Sequence, residues 1–102
     1  MRGRDTLMDW ELNKWTQEIT KAISSFENGV LDVIGVDFTH SDVCPANLCM
    51  ALEALGWSEY DSYLDWEYCY CSFEHPCRSY KIFIEFNPLT FGLTLTIQKE
   101  IK

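Results

Sequence analysis

The chain has 102 residues, of which 16 are acidic and 8 basic, for a net charge of −8. That balance argues against a phosphate-backbone ligand, whose binding needs Lys and Arg to displace counterions, and against an anionic membrane surface. At 47% hydrophobic and 15% aromatic the sequence can bury a real core, which argues against global disorder, and its length suits one compact domain spanning residues 1–102.

Met8, Leu12, Trp15, Ile19, Ala22, Ile23 and Phe26 recur at helical spacing and predict an amphipathic helix over residues 6–27. Asp5 or Thr6 is the candidate cap, Asn28 and Gly29 are a stop signal, and Trp10 lies off the stripe. Residues 30–38 predict a strand. Val30, Ile34, Val36 and Phe38 share one parity and Leu31 and Val33 the other, the pattern of a strand covered on both faces near its start. Residues 39–42 form a polar turn. Pro45 fits the first turn of a second helix, lined by Leu48, Ala51, Leu52 and Leu55 and ended by Gly56.

After a connection over residues 57–61 the period becomes two. Leu64, Trp66, Tyr68 and Tyr70 are expected on one side, and Asp65, Glu67, Cys69 and Cys71 on the other. A turn over residues 74–78 precedes Tyr80, Ile82, Ile84 and Phe86, which alternate with Lys81, Phe83 and Glu85. Asn87 and Pro88 turn the chain again. Phe91, Leu93, Leu95 and Ile97 then alternate with Gly92, Thr94 and Thr96, in a strand expected to be able to lie at a sheet edge and pair with a second chain. The predicted class is α+β: helix–strand–helix followed by a three-stranded antiparallel meander, with the helices packed on one sheet face.

The cysteines carry the sharpest chemical expectation. Cys69, Cys71, His75 and Cys77 place four soft ligands within nine residues. Three thiolates and an imidazole are a tetrahedral zinc set, and four protein ligands would make the zinc structural. Cys44 and Cys49, with His40 upstream, are a second pair from which a ligand could be exchanged. The competing reading is five reduced thiols packed as small hydrophobes. Thiols or metal ligands, residues 1–9 without an apolar stretch, and no apolar run near ~20 residues together give a cytoplasmic expectation.

Catalytic patterns are weak. Cys44 or Cys77 with His40 or His75 as a thiol nucleophile, and Asp61, Asp65 and Glu67 as an acid–base or Mg²⁺ set, compete poorly with a solvated strand face. No glycine-rich phosphate loop, HExxH or nucleophile elbow is present, so the chain is read as non-enzymatic.

No Lys or Arg occurs between Lys21 and Arg78, and that interval carries −10 while the two ends together carry +2. Within it Trp57, Tyr60 and Tyr63, together with Tyr68 and Tyr70, interleave with Glu59, Asp61, Asp65, Glu67 and Glu74. Aromatic anchors among carboxylates suit an interface with a basic protein, and core or cross-strand packing is the plainer reading for about half the aromatics. In size, acidity and this acidic-aromatic stretch over residues 57–74, the chain resembles the small phage-encoded anti-CRISPR proteins. The resemblance implies an inhibitor that binds a Cas effector, Cas9-type by preference, in the bacterial host cytoplasm and blocks nucleic-acid loading. That class has no common signature, so it implies no residue roles. An immunity protein or antitoxin that neutralises a basic nuclease toxin would use the same patch.

Overall fold

A computed structural model describes residues 9–39, 44–65 and 67–99. The order of elements is α1 (Asp9–Asn28), β1 (Val33–Asp37), α2 (Pro45–Ala54), β2 (Ser58–Leu64), β3 (Cys69–Glu74), β4 (Tyr80–Asn87) and β5 (Gly92–Lys99). Residues 6–8 with the proposed caps, His40 and Trp66 lie outside the described residues.

The strands form one antiparallel sheet in the order β1-β5-β4-β3-β2. Period-two alternation decides which face the helices cover. Tyr80, Ile82 and Ile84 of β4 and Leu93, Leu95 and Ile97 of β5 are buried, and the register sets Ile82 beside Ile97 and Ile84 beside Leu95. Phe73 of β3 joins the same face beside Ile82. Against this surface α1 lays Trp15, Ile19, Ile23 and Phe26, and α2 lays Leu48, Ala51 and Leu52. These positions recur three or four residues apart, which is what lets a helix bury one stripe.

Two local devices fix how the helices meet the sheet. Pro45 sits in the first turn of α2, where no N–H is required, and Cys44 is the capping residue without a side-chain cap bond. At the other end Gly56 takes a φ of +95°, a left-handed conformation natural to glycine. A Cβ there would stand 3.0 Å from Nε2 of His75, so a larger residue would also press on the His75 ring. The turn lets Trp57 N–H donate to the Leu52 carbonyl at 3.0 Å and drops the Trp57 ring into the core at 3% exposure. The second device joins α1 to β4. Tyr80 donates its hydroxyl to Glu27, Arg78 pairs with the same carboxylate at 3.3 Å, and the Tyr80 ring meets Phe26 edge-on at 5.0 Å.

The sheet has five strands, two more than the meander predicted from sequence. The predicted run over residues 64–71 is broken by a turn in which Asp65 N–H donates to the Tyr68 carbonyl at 3.0 Å. The stretch read as a connection becomes β2, an edge strand exposed at every residue and bulged between Glu59 and Asp61. With neither face buried, it has no apolar alternation to betray it. β1 is the other edge, so only Ile34 and Val36 pack inward. Val30 precedes it at 91% exposure, contrary to the doubly covered strand expected. β5 lies between β1 and β4 and offers no edge for a second chain. Among the described residues no helix is long and apolar enough to cross a membrane.

Leu52, fully buried between the helices and the sheet, predicts a loss of about 2–5 kcal/mol for Leu52→Ala in urea unfolding, with an unchanged slope. Val30→Ala, at an exposed site, should stay within about 0.5 kcal/mol.

Candidate functional site

Both helices lie on one side of the sheet, so the alternate residues of β3, β4 and β5 form a second face that no helix among the described residues covers. Tyr70 and Ser72 of β3 stand on it beside Glu85 and Phe83 of β4, and Phe83 in turn faces Thr96 of β5. From the edge, β2 contributes Asp61 opposite Ser72 and Tyr63 opposite Tyr70. This face carries an open groove of ≈ 390 Å³ whose lining runs from Tyr60 and Asp61 across to Thr96 and Gln98. Ser72, at 3% exposure, is its most buried polar member.

The aromatic wall is a cross-strand cluster. Tyr63 and Tyr70 stack with centroids 6.4 Å apart and planes 24° from parallel, and Tyr68 stands 6.0 Å from Tyr70. Such contacts hold ring positions at modest energetic gain. Each ring also ends on a carboxylate. Tyr68 donates to Glu85 at 2.5 Å, Tyr70 to Asp61 at 2.9 Å and Tyr63 to Asp65 at 2.9 Å. These bonds favour the neutral phenol and push all three tyrosines above their ordinary value, Tyr68 up to about 12. A stacked ring with a donating hydroxyl therefore holds each carboxylate oxygen in place.

Charge on the face is lopsided. Lys81 pairs with Glu74 at 3.3 Å and lies 4.6 Å from the centre of the Tyr60 ring. Asp61 and Glu85 have tyrosine hydroxyls as partners, and no cation among the described residues pairs with either.

The residues expected at a binding patch divide four ways. Tyr60, Asp61, Tyr63 and Glu74 belong to the open face or its rim, while Asp65 and Glu67 lie exposed at the β2–β3 turn that ends it. Trp57 is removed from the patch, because its ring is core and packs on His75 at 5.2 Å. Glu59 pairs in register with inward-facing Phe73, and its charge acts on Cys49 and Cys71 on the helix side. Ser72, Phe83, Glu85, Thr96 and Gln98 were not picked out from sequence. Glu85, Thr96 and Gln98 fall in the polar half of the β4 and β5 alternation, whereas Ser72 of β3 and the apolar Phe83 carry no such signal.

Cys71 points inward and meets Cys49 of α2, and burial raises both thiols, Cys49 to about 12. Cys69 donates weakly to the Asp65 carbonyl at 3.7 Å. His75 turns its ring to Trp57 and accepts the Cys77 N–H at Nδ1, 3.0 Å away. Among the described residues no three His, Cys, Asp or Glu side chains are grouped to hold a metal ion. Cys44 is exposed beside an apolar hollow of ≈ 310 Å³ near Phe38 and Phe91.

Comparison of the chain with protein family models, with curated proteins and with solved structures found no match.

Two outcomes follow. Because Tyr68 binds its proton more tightly when folded than at the ordinary value of 10, its contribution to stability is complete below pH 10 and disappears as pH rises through about 12. Phenolate absorbance should show Tyr68 ionising late, and Glu85→Gln should move that step toward pH 10. Alkylation followed by peptide mapping should label the exposed Cys44 and Cys77 first and Cys49 last.

Proposed function

We propose that this chain is a non-enzymatic inhibitor that lays the open face of its sheet on a basic, nucleic-acid-binding surface of another protein. The observation that carries the reading is the pair Asp61 and Glu85. Each is held on a tyrosine hydroxyl, neither has a cationic partner among the described residues, and both line one aromatic groove.

Carboxylates fixed in this way offer negative oxygens where a basic channel would otherwise meet phosphates. The rings beside them supply anchoring area that a solvated acidic surface lacks. Net charge supports the same reading, since −8 on a chain of this size speeds encounter with a positive surface and repels nucleic acid. In line with the resemblance to anti-CRISPR proteins, the partner proposed is a Cas effector of Cas9 type, with guide or target loading as the step that is blocked. Structural zinc has no part in the proposal.

The test is retention of a purified Cas9-type effector on the immobilised chain, with DNA loading measured in parallel. Capture should weaken as salt rises. Asp61→Lys combined with Glu85→Lys should abolish both capture and the block, whereas Glu59→Lys on the helix side should leave them intact. Capture indifferent to the paired reversal would refute this face. If the effector fails to bind while a basic nuclease toxin is retained through the same two residues, the chain is an immunity protein instead.

A further inference from the structure

The groove itself narrows the chemistry of what enters it. We infer that it is a socket for a single arginine side chain presented by the partner. This rests on the reading of the open face as a protein-binding surface and specifies its central contact.

Three observations converge on a guanidinium. The first is charge. Asp61 of β2 and Glu85 of β4 line the groove with β3 between them, and each spends one oxygen on a tyrosine hydroxyl. A carboxylate accepts through two oxygens and about four lone pairs, so both retain capacity directed at a donor.

The second is Ser72. It lines the groove at 3% exposure, and among the described residues its hydroxyl has no hydrogen-bond partner. Buried hydroxyls are normally bonded, so an unpartnered one in a groove marks where a ligand atom belongs. The third is the aromatic lining of Tyr60, Tyr68, Tyr70 and Phe83, which offers ring faces to a flat cation.

Arginine meets these features better than lysine. Its planar fork carries five N–H donors, stacks on rings and can address two acceptors at once, whereas an ammonium is a compact, strongly hydrated point charge. The molecule already shows the weaker version of the mode. Lys81 sits 4.6 Å from the Tyr60 ring centre with Glu74 at 3.3 Å, a cation set between a ring and a carboxylate. The groove offers more rings, two carboxylates and a hydroxyl. At ≈ 390 Å³ it has room for one long side chain with water, near the lower end of the range for ligand sites.

The experiment is an NMR titration of the full chain with N-acetyl-arginine-methylamide. Its citrulline counterpart, which is neutral and nearly the same shape, its lysine counterpart and maltose serve as competing probes. The arginine probe should give saturable shifts at Ser72, Thr96 and Gln98. Citrulline should bind at least about tenfold more weakly, and lysine should fall between them. Asp61→Asn and Glu85→Gln, both near-isosteric, should each weaken the arginine probe several-fold while leaving the remaining spectrum in place. Equal binding of citrulline, tighter binding of maltose, or shifts confined to the helices would overturn the socket. Its failure is separable from failure of the wider reading. If Asp61→Asn and Glu85→Gln abolish the arginine response but effector capture persists and still yields to paired charge reversal, the socket falls and the acidic face stands.

Discussion

Everything in this molecule follows from one asymmetry: the described residues hold two helices, and both cover the same side of the sheet. β4 and β5 answer that asymmetry residue by residue. Ile82, Ile84, Leu93, Leu95 and Ile97 go to the helices, while Lys81, Phe83, Glu85, Thr94, Thr96 and Gln98 go to the other side. An antiparallel sheet tolerates a wet face, so no further layer is needed for the fold to stand. What the uncovered face needs instead is a way to place aromatic rings and carboxylates next to water without letting either collapse.

Tyrosine meets that need with one side chain. Its ring stacks across strands, as Tyr63 does on Tyr70, and its hydroxyl ends on a carboxylate, as Tyr70 does on Asp61. The bond keeps the phenol protonated to higher pH and fixes the acid's direction. Repeated at Tyr68 with Glu85 and at Tyr63 with Asp65, it converts flexible acids into oriented ones. Preorganised acceptors lose less side-chain entropy when a partner arrives. This is the physical basis for reading the face as an interface.

The sequence is informative where buried side chains recur in a stripe or an alternation. The stripe of Trp15, Ile19, Ile23 and Phe26 announces α1, and the alternation of β4 and β5 announces both the strands and their inward face. It was silent at β2, where Ser58–Leu64 is exposed on both sides and packing imposes no pattern. It misled over residues 64–71, where a continuous alternation conceals the turn at Asp65 and Tyr68. Trp57 looked like an interface anchor because it neighbours acids in sequence. The Gly56 turn carries it into the core instead. The cysteines near residue 70 look like ligands by spacing, and in the fold strand parity brings Cys71 to Cys49 while His75 packs on Trp57. The groove was the least legible feature, since Asp61, Ser72, Glu85 and Thr96 come from four strands and meet only through register.

The central claim is that the uncovered face, and not the helix side, is where the partner sits. Methyl and aromatic resonances report this directly when isotopically labelled chain is mixed with unlabelled effector. Saturation transferred from the effector should reach Thr94, Thr96, Tyr68 and Tyr70 and leave Leu12 and Ala22 of α1 untouched. Transfer concentrated on α1 and α2, with the sheet face unaffected, would contradict the account.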